Sequence, residues 1–198
     1  LGGSFFVGPG HRNQAEMMFS QEDVYLEYGQ AVGFIKYYAG GRYAFAALMP
    51  TEEGAIADYI AGLSGEKLLA TLANAQQTKV DICIPKFKSE FTSEMSGALS
   101  AMGMTDAFSA ETADFSRLAS SEQGNIAISQ MLHKSYLNVA ELGTQTGAPT
   151  ATEGAQPPAA AKTVYLDHPD EYMIIDGETN LPLFIGAVLE AGKTATGM

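Results

Sequence analysis

The sequence carries a single cysteine, Cys83, so no intramolecular disulfide can form. Basic residues are scarce as well: 11 Lys and Arg stand against 23 Asp and Glu, a formal charge of −12. A surface that binds nucleic acid through its phosphates needs clustered cations. Here they are scattered, so no nucleic-acid partner is expected. No apolar run approaches the roughly 20 residues of a membrane-spanning helix, and no membrane partner is expected either. The chain opens on Leu rather than Met, with no signal-peptide pattern behind it, and a trimmed N-terminus is expected.

Catalytic signatures are also missing. The histidines His11, His133 and His168 lie far apart, with no Cys or His at metal-ligand spacing. One buried and two surface histidines account for them better than a metal site. No Gly-x-Ser-x-Gly elbow offers a nucleophile. The stretch from Gly186 to Gly192-Lys193-Thr194 has five residues between its glycines, where a phosphate loop needs about four, and no helix follows. Asp167-His168-Pro169-Asp170-Glu171 reads as a solvated turn rather than paired catalytic carboxylates. Cys83 alternates with apolar neighbours and reads as an inert core thiol. The expectation is a protein that is not an enzyme and uses no cofactor or metal.

What remains is a composition that is 46% hydrophobic over 198 residues, ample for the core of one compact domain. The first third predicts short strands at 5–7, 17–19, 24–28, 31–38 and 43–49, separated by turns such as Gly8-Pro9-Gly10 and Gly40-Gly41. Spacing this close points to an antiparallel meander. Pro50-Thr51 is expected to end the last of these and cap a helix bearing Ile56, Tyr59, Ile60 and Leu63. Ser64 caps a second helix with Leu68, Leu69 and Leu72. Val80, Ile82 and Ile84 alternate as a strand does. A helix is predicted over 93–102, stopped by Gly103. Residues 126–139 read as one long, well-buried strand, and 164–166, 172–175 and 183–188 as further strands. Gly177-Glu178-Thr179 turns between the last two.

Between the long strand and Val164 the composition changes. Residues 143–162 are Thr, Gly, Ala, Pro and Gln with almost nothing to bury. A flexible linker would look like this. Yet a structureless loop of about twenty residues inside a compact domain is uncommon and usually functional.

Several segments, taken in order, are similar to the serpin family. Ala44-Phe45-Ala46-Ala47-Leu48-Met49-Pro50 looks like the family's strand ending in Leu-Pro, with Met49 set between the two. Ile84-Pro85-Lys86-Phe87-Lys88 looks like its Pro-Lys-Phe segment. The run from Leu99 through Gly103 to Asp106-Ala107-Phe108 resembles Leu-x-x-Leu-Gly-x-x-Asp-Ala-Phe, and Ala113-Asp114-Phe115-Ser116 matches the Ala-Asp-Phe-Ser turn. His133-Lys134 matches the His-Lys before the hinge, and Glu141-Leu142-Gly143-Thr144 resembles the Glu-Glu-Gly-Thr that starts the reactive loop. Asp167-His168-Pro169 and Leu183-Phe184-Ile185-Gly186 look like parts of the closing strands. The resemblance implies an α+β fold of antiparallel and mixed sheets, a few helices and an exposed reactive-centre loop at about 143–162. Residues 1–198 would form the C-terminal part of a single serpin domain. The fold would be incomplete, because the helical first half precedes these motifs in the family.

The resemblance further implies a serine-type endopeptidase inhibitor that acts as a suicide substrate. A serine protease cleaves the loop, and its freed arm inserts into the main sheet with the protease attached. An inserting strand buries every second residue. Thr144, Thr146, Ala148, Thr150, Thr152 and Gly154 form one set, all small and uncharged. Gln145, Gly147, Pro149, Ala151, Glu153 and Ala155 form the other, which carries the charge. The hinge would comprise Glu141, Gly143, Thr144, Gln145, Thr146, Gly147, Ala148, Pro149 and Thr150. Pro149 departs from the family's Ala-rich hinge and removes a ladder hydrogen bond, a cost of about 1 kcal/mol with comparable strain. Such slowing could turn an inhibitor into a substrate, so a non-inhibitory relative that binds or stores stays open as an alternative. The reactive bond would fall among Ala155, Gln156, Pro157 and Pro158, and an Ala-rich bait would suit elastase-like or subtilisin-like serine proteases. Lys86 and Glu141 correspond to a pair that can bridge near the top of the main sheet in some serpins, read either as control of loop entry or as a surface ion pair worth under about 1 kcal/mol. His133 would be a buried, hydrogen-bonded histidine. Asp170-Glu171 replaces the family's apolar pair, so that strand would be looser or displaced. The resemblance also implies an extracellular protein.

Overall fold

The structure is a computed structural model that describes residues 2–8, 11–52, 55–141, 162–192 and 195–196. The chain divides into two compact units, Leu1–Lys88 with Asn138–Ala195, and Ser89–Leu137 with Thr196–Met198.

The first unit is built on an eight-stranded sheet. Its strands are β1 (Gly2–Gly8), β2 (His11–Tyr28), β3 (Ala31–Tyr37), β4 (Tyr43–Pro50), β5 (Gln76–Pro85), β8 (Lys162–Tyr165), β9 (Asp170–Asp176) and β10 (Pro182–Val188). Their order is β10-β9-β4-β3-β2-β5-β8, with β1 also paired to β2. The expected meander is there as β2-β3-β4, each pair antiparallel. The strands expected at 17–19 and 24–28 are one strand of 18 residues. The polar run between them stays extended because its backbone is laddered to β5, Ser20 opposite Ile82, Gln21 opposite Asp81 and Glu22 opposite Val80. Its side chains find partners across the sheet: Lys36 bridges Glu22, and Gln21 donates to Asp81 at 2.8 Å. Ladder hydrogen bonds are indifferent to side-chain polarity, so periodicity alone misses such a stretch.

One face of the sheet buries Val24, Leu26, Ile35, Ala46, Leu48, Met173 and Ile175 against Leu68 and Leu72. The two leucines belong to α2 (Gly65–Ala73), whose N-terminus Ser64 caps by accepting from the Lys67 N–H at 3.2 Å, as its sequence predicts. Helix α1 (Ile56–Ala61) corrects the sequence reading, for Thr51 does not cap it. The Thr51 hydroxyl donates to the Gln30 carbonyl at 3.1 Å and holds the start of β3 to the end of β4.

Strand β9 is also a correction. It is neither loose nor displaced, since β10 and β4 pair with it on both sides. Nor do Asp170 and Glu171 sit in a solvated turn: they are 1% and 2% exposed.

The second unit holds most of a three-stranded sheet of order β11-β6-β7. Its strands are β6 (Phe87–Glu94), β7 (Leu132–Val139) and β11 (Ala195–Thr196). The sequence pattern gives no strand at β6, where Phe87 and Phe91 are the only large apolar residues. The helix expected over 93–102 is α3 (Ser96–Ala101), because Ser93 and Glu94 remain in β6. The Glu94 carboxylate accepts from the Ser96 N–H at 3.0 Å and the Met131 N–H at 3.3 Å, which fastens the strand end to both neighbours. Gly103, at φ 102°, stops the helix as predicted. The buried strand expected over 126–139 is the shorter β7, whose residues are exposed or half-buried. The residues before it are diverted, for the Ile128 N–H bonds the Ala107 carbonyl at 2.9 Å.

Candidate functional site

Strand β7 ends at Val139, and Ala140 and Glu141 follow it. The next described residue is Lys162, which opens β8. The expected hinge residues Gly143, Thr144, Gln145, Thr146, Gly147, Ala148, Pro149 and Thr150 lie outside the described residues, as do Ala155, Gln156, Pro157 and Pro158. What the structure describes is the pair of anchor points that bracket them, both in the first unit.

At the first anchor, the Lys86 ammonium lies 3.0 Å from Glu141 Oε2 and 2.7 Å from Glu16 Oε2. The Lys86–Glu141 pair expected from the sequence is therefore formed. Its third member was not legible there. Glu16 belongs to the polar half of β2, and it reaches Lys86 only because Met17 pairs with Pro85 in the β2–β5 register. The Lys86 N–H also bonds the Glu16 carbonyl at 2.7 Å, so backbone and side chain are fixed together. The hydrogen bonds to Glu16 and Glu141 push the Lys86 ammonium above its ordinary range. The Lys86 hydrogen bond holds Glu16 below the usual carboxylate range. A cavity of about 500 Å³ opens beside this cluster, lined by Gln14, Glu16, Lys86, Asn138, Ala140 and Gly192.

At the second anchor, β8 lies parallel to β5, with Lys162 opposite Val80 and Tyr165 opposite Cys83. The Lys162 ammonium sits over the Tyr25 ring, 4.9 Å from its centroid, and 3.8 Å from a Glu27 carboxylate oxygen. A cation over an aromatic face is attracted by the ring's negative quadrupole. The pair ties the strand to β2 as well as to β5. Val164 and Leu166, both 1% exposed, plug the strand into the core.

The histidine expectations are corrected. His133 is exposed on β7, the terminal strand of its sheet, rather than buried and hydrogen-bonded. His11 is exposed too, and His168 is half-buried with its Nδ1 2.6 Å from Asp167 Oδ1, so none of the three is buried. Cys83 is 5% exposed, and burial pushes its thiol up to about 11, in keeping with an inert core cysteine. Among the described residues no group of His, Cys, Asp and Glu could hold a metal ion, and no helix is long and apolar enough to cross a membrane.

With this geometry in place, comparison with known proteins is specific. The family described as "Serpin (serine protease inhibitor)" matches residues 2–191. Serpin B10 of Bos taurus is 31% identical over 189 residues, covering 92% of this chain and 47% of its own length. An uncharacterized serpin-like protein of Thermococcus kodakarensis is 33% identical over 156 residues, 77% of this chain and 35% of its own. Among solved structures, the thermophilic serpin Tengpin in its native state superposes with a TM-score of 0.81 at 43% identity, covering 96% of this chain and 50% of that one. The same serpin in its latent state gives 0.75. The chain thus spans about half the length of these relatives, or less.

Proposed function

The chain belongs to the serpin family, and from that premise we propose that the protein of which it forms the C-terminal part, within a single domain, is a suicide-substrate inhibitor of serine proteases. The observation that carries this reading is the bracketing of 142–161. On one side Glu141 is pinned by Lys86, and on the other β8 is built into the sheet. A segment this poor in apolar residues has little to bury, and on this reading it serves as bait between two fixed ends. Strand β7, which leads into it, has no partner on its outer side among the described residues. An extended segment of small residues could add there.

The chemistry belongs to the protease. Its serine oxygen attacks the carbonyl carbon of the scissile bond, the C–N bond breaks, and the new amine leaves with a proton. The N-terminal arm of the loop remains esterified to the serine. If that arm pairs as a strand before water reaches the ester, the protease is trapped; otherwise it is released and the inhibitor is spent. Burial and strand pairing gained on insertion drive the first outcome. The chain supplies no catalytic group of its own in this scheme.

Pro149 and Pro157-Pro158 favour a second reading, in which insertion is too slow and the protein binds or stores rather than inhibits. Incubating the full-length protein with elastase-like and subtilisin-like serine proteases separates the two. Inhibition yields a covalent complex that survives denaturing electrophoresis, and intact-mass analysis of the released peptide fixes the bond among Ala155, Gln156, Pro157 and Pro158. Clean cleavage with no complex sinks the inhibitor and leaves the binder. An extracellular location belongs to the same proposal and rests on the resemblance alone. Recovery of the full-length protein from culture medium supports it, and retention in the cell lysate overturns it.

A further inference from the structure

Asp170 and Glu171 stand side by side at the start of β9, the one 1% and the other 2% exposed. Successive strand residues point to opposite faces, so each carboxyl enters a different layer of the core. Glu171 shares its face with Met173 and Ile175, against Leu68 and Leu72. Asp170 shares its face with Tyr172, whose ring packs on Phe45 and Phe87. Their cross-strand neighbours are apolar: Val188 opposite Asp170, and Ala187 and Leu48 opposite Glu171. Asp170 Oδ2 is buried with no hydrogen-bond partner, and both Glu171 oxygens are buried with none at full hydrogen-bond geometry, the Tyr59 hydroxyl lying near them.

No cation compensates them among the described residues. Strand β10 contains no titratable residue, and β4 only Tyr43, at its far end opposite Asp176. From α1, the Tyr59 hydroxyl is directed at Glu171 and favours its ionised form, an effect smaller than that of burial, while Asp58 is exposed. From α2, Glu66 is exposed and Lys67 donates to the Gly62 carbonyl. On β3, Lys36 is tied to Glu22. At the start of β6, Lys86 is held by Glu16 and Glu141 and Lys88 is exposed. His168, two residues before Asp170, is turned to Asp167. Glu190, beyond β10, is exposed.

A carboxylate buried without a cation is expensive, and the group takes up a proton instead. We infer that β9 is a proton-dependent clasp, which holds its place in the sheet while Asp170 and Glu171 are protonated and loosens as they ionise. The electrostatics agree: burial raises Glu171 to about 7, and burial with the neighbouring Glu171 charge raises Asp170 well above the usual range. The sign follows from linkage. Unfolded carboxyls ionise near pH ~4, so above that the folded state holds more protons than the unfolded one. Stability therefore falls as pH rises from ~4 through about 7, where Glu171 ionises, and Asp170 adds to the fall as long as it holds its proton. Each extra proton changes the unfolding constant by about tenfold per pH unit. The carboxyls whose values are lowered, Glu16, Glu94, Asp114 and Asp176, act in a different window, adding stability that is lost only below pH ~4. The inference does not depend on the inhibitory reading.

Urea unfolding of the protein at intervals from pH 5 to pH 8 tests it. The wild type is expected to lose stability by roughly tenfold in its unfolding constant per pH unit from pH 5 to about 7 through Glu171, and by more wherever Asp170 also keeps its proton. The double variant D170N/E171Q is expected to flatten the profile and to exceed the wild type at the alkaline end. Calorimetric unfolding of the wild type at pH 6, in two buffers of different ionisation heat, needs no variant and should show one to two protons released. A wild-type stability that is flat or rising with pH, or unfolding without proton release, overturns the inference. So does a folded double variant that keeps the wild-type slope.

Discussion

Gly33 shows how one residue fixes the packing of a strand pair. A Cβ at this position would sit 1.9 Å from the Ala47 carbonyl oxygen across the β3–β4 ladder. That neighbour is backbone, so it can move only if the strands separate. Gly33→Ala is expected to destabilise the protein by about 1–3 kcal/mol or more, seen as a lower urea midpoint at unchanged slope. Cys83 gives a chemical counterpart. A thiol 5% exposed and pushed up to about 11 is mostly protonated at pH 8. The native protein should resist a thiol-specific reagent over hours, while one equivalent should react after denaturation; fast native labelling would mean that β5 opens locally. The alternation of apolar residues around Cys83 made its burial legible in the sequence. Nothing in the sequence marked Gly33, because the oxygen that demands glycine belongs to another strand.

Elements were read well where their signals were local. Ser64 and the leucines of α2 lie within a few residues of one another, and the cap forms as the pattern predicts. Ser64→Ala is expected to cost about 1 kcal/mol, with Ser64→Asp restoring most of it, both measured by chemical denaturation. An unaffected alanine variant would mean that tertiary packing alone holds α2 in place. Thr51 has the same chemistry as a cap, yet its hydroxyl goes to Gln30, a partner brought near by the β3–β4 pairing. The continuity of β2 was hidden for a related reason, since strand pairing with β5 carries it through residues that would not form a strand alone.

At the scale of the whole molecule, strand edges dominate. Among the described residues strand β7 is the terminal strand of its sheet, with Leu132 and Tyr136 more than half exposed. An open edge flanked by large apolar side chains is a template for another chain. The chain is expected to self-associate as its concentration rises, read by light scattering, and Tyr136→Lys should weaken that association. A monodisperse, cooperatively melting monomer at all concentrations would contradict it. Net charge of −12 opposes association only at long range and is screened within about 8 Å at physiological salt.

The sequence by itself determined the family, the order of most strands and helices, the α2 cap and the Lys86–Glu141 pair. The elements and the cap rest on short-range periodicity and the family on motifs whose residues are close together, whereas Lys86 and Glu141, far apart in the sequence, were paired only by the resemblance to that family. Only the tertiary structure decided which polar residues are buried. Asp170 and Glu171 look like part of a turn and lie in the core, whereas His133 looks like a core residue and lies in the open. Glu16 shows no sign of a role until β2 and β5 set their register and deliver it to Lys86. Burial and pairing are properties of the neighbours that pack around a residue. Those neighbours come from strands far apart along the chain, where no local pattern records them.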